Sequence, residues 1–139
     1  GREPRPASGS GLSDPVWVPL AAVIAIHDRQ ISRHGGAAGL RDRGLLETGC
    51  ARAMNLVADG TPQPAEIAAA YAFGIAKAHA FVDGNKRTAF VTALTFLRLN
   101  GHAFRPDPVE GVRMMEDLAT GDVPEAAFAR WLAAGMTPI

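Results

Sequence analysis

Five polar side chains of different chemistry fall within nine consecutive residues, from His79 to Arg87. They are an imidazole, a carboxylate, an amide, an ammonium group and a guanidinium group, and apolar segments lie on both sides of them. Burying so many polar groups beside a core costs several kcal/mol unless they are paired or solvated. The segment is therefore a better candidate for a functional site than for structural filling.

The first part of this segment supplies a base and a metal ligand. An imidazole such as that of His79 is a natural general base for a hydroxyl nucleophile near neutral pH. The carboxylate of Asp83 can bind Mg²⁺, which takes hard oxygen ligands and often bridges phosphate groups. Phe81 lies between them and is expected to anchor the loop as an apolar plug rather than to react.

The second part predicts an anion site. Gly84 allows the backbone to turn freely, and the first amides of the following helix lack partners within the helix. Those amides and the helix dipole suit a phosphate group. Asn85 can orient a phosphate oxygen, while Lys86 adds positive charge and Arg87 offers a fork that can hold two oxygens. A base, a metal ligand for Mg²⁺ and an anion cradle together indicate phosphoryl or nucleotidyl transfer.

Each of these residues also has a plain structural interpretation. His79 could be a core histidine bound to a backbone carbonyl, Asp83 could cap a helix, and Arg87 could be a surface cation. Taken singly, the plain interpretation is the commoner one. Taken together, the plain interpretation would require several unrelated structural roles to occur by chance in one turn of the chain. A functional site is then the better interpretation.

Helical periodicity dominates the rest of the chain, and strand-like alternation is almost absent. The pattern predicts an all-α fold, a compact bundle of about six helices, with the polar segment in a loop between two of them. Residues 90–99 are apolar nearly all round, which is typical of the buried centre of a bundle. Residues 54–60 are expected to form a connecting segment with some extended character. The predicted helices span residues 19–35, 42–53, 61–78, 85–100 and 108–121, and a sixth begins at residue 124.

Composition restricts the class of protein. The 139 residues are enough for one domain, predicted at residues 16–139, after a flexible tail or cloning remnant at residues 1–15. Lysine plus arginine equals aspartate plus glutamate, 14 against 14, so we expect no direct nucleic-acid partner. No apolar run is long enough for a membrane span. Cys50 is the single cysteine, which fits a soluble protein of a reducing cytoplasm.

The segment HAFVDGNKRTA, residues 79–89, resembles the motif of the Fic/Doc family, commonly written HxFx(D/E)(A/G)N(G/K)R, at every defined position. Residues 39–53 and 75–101 are similar to segments of the death-on-curing (Doc) toxins, and the resemblance runs from Val16 to the last residue. It implies a helical fold with the motif loop between two central helices. It also implies His79 as general base, Asp83 as Mg²⁺ ligand, phosphate contacts from Asn85 and Arg87, and an anion hole of amides at residues 84–86.

Two positions within the motif region resemble Doc toxins rather than most Fic enzymes. Lys86 stands where most Fic enzymes have glycine, and Phe90 stands where they have a second arginine. The Doc resemblance implies transfer of the γ-phosphate of ATP to a Ser/Thr hydroxyl of a protein, with elongation factor Tu as target and translation inhibited. The chain lacks the inhibitory (S/T)xxxE(G/N) pattern of many Fic proteins, so the resemblance implies a Phd-like antitoxin acting in trans.

Three further interpretations stay open at this point. The reaction could be transfer of AMP, as in Fic enzymes, although Lys86 and Phe90 speak against it. The chain could be a non-catalytic binding module, although a retired site has no need to keep its base, carboxylate, amide and arginine. Residues 54–60 occupy the place of a target-docking flap in the family, or they could form a plain loop.

Overall fold

Six α-helices account for most of residues 14–139, the part of the chain that this computed structural model describes. Residues 1–13, most of the predicted tail, lie outside the described residues. The all-α prediction is confirmed, with one small addition, a two-stranded antiparallel sheet. The helices are α1 Leu20–His34, α2 Arg43–Asp59, α3 Pro64–Ala78, α4 Asn85–Leu99, α5 Pro108–Thr120 and α6 Glu125–Gly135, and the strands are β1 His102–Ala103 and β2 Thr137–Pro138.

Helix α3 lies at the centre of the bundle because its side chains are apolar on almost every face. It packs against α2, α4, α5 and α6, and most of its residues are buried. The largest side chains of the core meet beside it, where Tyr71 contacts the rings of Trp17 and Phe96. Helix α4 shares this core, and α1 packs on its outer side. The two helices that flank the polar segment are therefore held by the core of the molecule.

Two glycines allow α2 and α3 to cross in close contact. A Cβ atom on Gly74 would lie 2.1 Å from the carbonyl oxygen of Gly49, and one on Gly49 would lie 2.7 Å from the carbonyl oxygen of Gly74. Both obstacles are backbone atoms, which cannot move without separating the helices. The absence of side chains here sets the distance between α2 and α3.

The helix ends follow the local signals closely, with one correction. The Asp42 carboxylate accepts a hydrogen bond from the Leu45 amide and caps α2 as expected. The third helix was predicted to open at residues 61 and 62, but it begins at Pro64. Gln63 and Glu66 form a reciprocal capping box at this point, and Pro64 takes the first helical position.

The prediction for residues 54–60 was wrong. This stretch continues α2 as far as Asp59 and is neither a connecting segment nor a plain loop, while its role as a target-docking flap stays a prediction. Leu56 and Val57 pack against the core from α2, and this burial favours the helix over the extended form. Gly60 ends the helix.

The short sheet ties the end of the described chain to the region after α4. His102 pairs with Pro138, and Ala103 pairs with Thr137. The extended piece after α4 was expected near residues 102–105, and its partner strand was not. Within residues 14–139, no helix combines the length and the apolar character needed to cross a membrane.

Candidate active site

The polar segment forms a loop between α3 and α4 whose two ends both have left-handed backbone conformation. His79 ends α3 with φ 50° and ψ 42°, and it is the only non-glycine residue with positive φ among residues 14–139. Gly84 begins α4 with φ 75°. The two turns bend the chain sharply on either side of residues 80–83. His79 and the first turn of α4 are thereby brought to one side of the bundle.

All six predicted site residues line a single cavity of about 310 Å³. His79, Asp83 and Lys86 are exposed to it, whereas Asn85 and Arg87 are half-buried. The opposite wall comes from the end of α5, which sequence reasoning did not include. The lining comprises Ala76, His79, Val82, Asp83, Gly84, Asn85, Lys86, Arg87, Ala119 and Thr120.

Asn85 holds the loop together from within. Its side-chain oxygen accepts a hydrogen bond from the Phe81 amide at 3.0 Å, and its side-chain nitrogen donates to the Phe81 carbonyl at 2.9 Å. Phe81 itself is buried, as expected of an apolar plug. The amide of Asn85 was predicted to orient a phosphate oxygen, and here both of its polar atoms already bind backbone. One N–H of the side chain stays available to a ligand.

The loop between α1 and α2, residues 35–42, supports the motif loop from outside. The Val82 amide donates to the Gly39 carbonyl, and the amides of Arg41 and Asp42 both donate to the Ala80 carbonyl. The guanidinium group of Arg41 also donates to the carbonyl oxygen of His79. This contact satisfies the last carbonyl of α3, where the chain leaves the helix in a left-handed conformation. Arg41 therefore helps to hold the candidate base in place.

Backbone hydrogen bonds favour the ionised form of the Asp83 carboxylate. Its Oδ1 accepts from the Gly84 amide at 2.8 Å, and its Oδ2 accepts from the Ala37 amide at 3.3 Å. These bonds, followed by the charge of Arg87, lower the pKa of Asp83 below its ordinary value of 3.8. The carboxylate lies close to Gly36, where a Cβ atom would approach Oδ2 to 2.6 Å. The double glycine after α1 thus leaves room for this carboxylate.

The donor set fits Mg²⁺ of the kind that is shared with a nucleotide. No group of three or more His, Cys, Asp or Glu side chains able to hold a metal occurs in residues 14–139. Mg²⁺ commonly binds one or two carboxylates together with substrate phosphates and water, rather than an all-protein cage. Asp83 is exposed and ionised, and it lies beside a candidate phosphate site. A single carboxylate in that position meets the requirement.

The first turn of α4 has the features of an anion site. Gly84 caps the helix without a side-chain hydrogen bond, so no capping group satisfies the first amides. Lys86 is exposed at this end, and the Arg87 guanidinium group donates to the Gly35 carbonyl at 3.1 Å. That single bond leaves the other N–H groups of Arg87 available to phosphate oxygens. The helix dipole and the positive charges of Lys86 and Arg87 both favour an anion at this end of α4.

A second, more apolar cavity of about 450 Å³ adjoins the first, because Lys86 and Arg87 line both. Phe90 forms part of its wall and packs near Trp131, with ring centroids 6.1 Å apart. The position where most Fic enzymes carry a second arginine is thus an aromatic ring on an apolar wall. The remaining lining residues are Pro108, Gly111, Val112, Met115 and Glu116.

Comparison with known proteins agrees with this architecture. Residues 17–97, more than half of the chain, match the model of the Fic/DOC family. The chain therefore belongs to the Fic/Doc family. It is 38% identical over 108 residues to "Protein kinase doc" of Escherichia phage P1, which covers 77% of this chain and 85% of that protein. It is 40% identical over 103 residues to "Toxin Doc" of Mycolicibacterium smegmatis, which covers 71% of this chain and 79% of that protein. The resemblance to Doc proteins is thus confirmed.

Proposed function

We propose that this protein transfers the γ-phosphate of ATP to a serine or threonine hydroxyl of a protein target. The observation that carries the proposal is the shared cavity, which gathers an imidazole, an ionised carboxylate and an uncapped helix N-terminus with two cations. Phosphoryl transfer depends mainly on positioning and charge neutralisation, and these groups supply both. One relative is named as a protein kinase, which supports the same reaction.

In the proposed reaction His79 takes the proton of the target hydroxyl. The hydroxyl oxygen then forms a bond to the γ-phosphorus, and the bond from the γ-phosphorus to the bridging oxygen breaks, so that ADP leaves. Lys86, Arg87 and the first amides of α4 neutralise and orient the phosphate oxygens. Asp83 would hold Mg²⁺, which supplies further charge neutralisation when bound. The apolar cavity beside Lys86 and Arg87 has walls that suit a purine ring.

The structure suggests a second role for Asn85 in this reaction. Its two hydrogen bonds to Phe81 fix the shape of the loop between the base and the metal ligand. The predicted phosphate contact can use the remaining side-chain N–H, so both roles are compatible. We therefore assign Asn85 first to holding the loop and second to orienting a phosphate oxygen.

We further propose that the protein is a toxin of a toxin–antitoxin module. The name of the M. smegmatis relative supports the class. By resemblance to the Doc branch, the target is elongation factor Tu, the consequence is inhibition of translation in the bacterial cytoplasm, and a Phd-like antitoxin restrains the protein in trans. The exposed cavity agrees with external restraint, since a partner can reach it.

Transfer of AMP is the competing reaction, and two residues weigh against it. Lys86 places a long cationic side chain where a glycine would leave room for a different nucleotide pose. Phe90 lies on the apolar wall of the neighbouring cavity and cannot bind a phosphate. A non-catalytic binding module would not need an ionised carboxylate beside an uncapped helix N-terminus. Phosphate transfer therefore fits the site best.

The experiment is the intact mass of elongation factor Tu after incubation with this protein, ATP and Mg²⁺. We expect a gain of one phosphoryl group, lost in His79→Ala and kept in His34→Ala, an exposed histidine outside the cavity. A gain of AMP would show that the argument from Lys86 and Phe90 is wrong. A gain that persists in His79→Ala would remove His79 as the base. No gain on any protein of a bacterial lysate would overturn the proposal.

A further inference from the structure

A second histidine lies directly beneath the motif loop, on α1. His27 belongs to no part of the motif and is 52 positions away from His79 in the sequence. It is only 1% exposed, one of three buried polar residues in the described part of the chain. Helix α1 packs against α4 at this level. A buried histidine is expected to have a hydrogen-bond partner, because burying a polar ring without one costs free energy.

The partner of His27 is the backbone of the proposed metal ligand. Its Nε2 lies 2.7 Å from the carbonyl oxygen of Asp83. A carbonyl oxygen can only accept a hydrogen bond, so Nε2 must carry the proton and donate it. This carbonyl belongs to the residue whose carboxylate faces the cavity. The bond therefore fixes the backbone from which the carboxylate extends.

The ring of His27 makes a second contact with the same loop. It stacks on the ring of Phe81, with centroids 3.8 Å apart and planes inclined by 8°. Phe81 in turn is bound through its backbone to Asn85. One side chain of α1 thus contacts the loop at two residues, Phe81 through its ring and Asp83 through its carbonyl.

The other nitrogen of the ring indicates that the Nε2 bond is the reason for a polar residue at this position. Nδ1 is buried and has no hydrogen-bond partner. The nearest carboxylate oxygen, on the exposed Asp28, is 3.7 Å away, which is too far for a hydrogen bond. A phenylalanine would keep the stacking and avoid an unsatisfied nitrogen. The Nε2 bond to Asp83 is the one interaction of this ring that a phenylalanine could not make.

We propose that His27 is a positioning residue for the metal ligand, and this inference rests on the function proposed above. It holds the Asp83 carbonyl and the Phe81 ring, so that the carboxylate of Asp83 stays aimed into the cavity. Ile31, one turn further along α1, reaches Gly84 on the same side, where a Cβ atom would lie 3.1 Å from its Cδ1. The face of α1 that carries His27 and Ile31 therefore packs against the motif loop.

The test compares three variants of the full chain. His27→Phe keeps the stacking and volume but removes the donor. His27→Gln restores an N–H that can reach the carbonyl. His34→Phe makes the same chemical change at an exposed histidine of the same helix. Hydrogen–deuterium exchange of residues 80–84 reports the loop without any need for activity, and steady-state kinetics at varied Mg²⁺ concentration report the site.

We expect His27→Phe to speed amide exchange in the loop about tenfold, since the loss of one part-buried hydrogen bond has about that effect on an equilibrium. The same variant should need about tenfold more Mg²⁺ for half-maximal transfer, and His27→Gln should recover most of both effects. Exchange in α3 should stay unchanged, which separates a local effect from general unfolding.

Three results would overturn the inference. The first is that amide exchange of the loop and the Mg²⁺ dependence of transfer are the same in His27→Phe as in the wild type. The second is that His27→Gln does not recover the loop protection and Mg²⁺ response that His27→Phe loses. The third is that His34→Phe changes loop exchange and Mg²⁺ dependence as much as His27→Phe does. If the wild type transfers no phosphate, the proposed function fails, and the exchange of the loop still decides whether His27 positions it.

Discussion

The approach of Gly36 to the Asp83 carboxylate allows a sharp test of the site. Gly36 has φ +112°, and a Cβ atom on it would lie 2.6 Å from Oδ2 of Asp83. Ordinary van der Waals contact begins at 3.4 Å, so Gly36→Ala must displace the carboxylate by about 0.8 Å. The obstacle is the end of a flexible side chain, which can rotate away. The displacement should therefore harm the site more than it harms the fold.

Gly35→Ala is a matched control for this change. Gly35 also has positive φ, at +79°, but no atom lies within 4 Å of its Cβ position. Both variants carry backbone strain, of the order of 1–3 kcal/mol for a non-glycine residue in such a region. We expect their free energies of unfolding in urea to agree within about 0.5 kcal/mol. The difference between them reports the contacts of the added methyl group, chiefly with the Asp83 carboxylate at 2.6 Å and secondly with Ile31 Cδ1 at 3.2 Å.

The activities of the two variants should differ strongly. A misplacement near 1 Å can reduce a reaction about 100-fold, so kcat/KM for phosphate transfer should fall by that order in Gly36→Ala and only slightly in Gly35→Ala. The assay is transfer of labelled phosphate from ATP to the target at several Mg²⁺ concentrations. Equal losses in both variants would refute the argument, because strain alone would then explain the effect.

Three further predictions concern the crossing of the helices, the charge of the carboxylate and the shape of the loop. Gly74→Ala should lower the free energy of unfolding by about 2 kcal/mol or more, because its Cβ atom would meet the backbone of Gly49. Gly60→Ala, with open space around it, should be nearly neutral. Urea denaturation measures both free energies. Because the pKa of Asp83 is lowered by folding, its contribution to stability is present above the ordinary value of 3.8 and is lost as the pH falls through the folded value. The stability difference between wild type and Asp83→Asn should therefore shrink on acidification, and a constant difference would contradict the assignment. Asn85→Ala should speed amide exchange in the motif loop and reduce transfer, and unchanged exchange would leave phosphate contact as its only role.

Much of the fold could be predicted from the sequence because its helices depend on local signals. Asp42 and Pro108 mark helix starts, and Gly35 and Gly121 mark helix ends, as the structure confirms. The failure at residues 54–60 has a tertiary cause. That stretch has no strong local preference, and contacts of Leu56 and Val57 with the core decide its conformation. The pairing of β1 with β2 is also non-local and leaves no pattern in two-residue strands.

The candidate site, like the fold, has one part that local sequence predicts and another part that depends on contacts between distant segments. The six predicted site residues lie within nine consecutive positions, so their types and spacing are visible in the sequence. Their supports are 38 to 56 positions away, where Arg41 binds the His79 carbonyl, Ala37 binds the Asp83 carboxylate, and His27 binds the Asp83 carbonyl. Only the packing of α1 and its following loop against the motif brings them together. The available signals were a histidine in the apolar stripe of α1 and a double glycine after that helix, and neither is specific alone.

Asn85 illustrates why residue types by themselves do not assign roles within the motif. An amide beside a phosphate site and an amide that closes a loop require the same donors and acceptors at the same position. The structure separates them, because both polar atoms of Asn85 bind the backbone of Phe81 while Lys86 extends into the cavity. The motif therefore combines groups that face a ligand with groups that fix the loop. We expect substitution of either kind to reduce transfer, and a measurement of loop structure distinguishes the two.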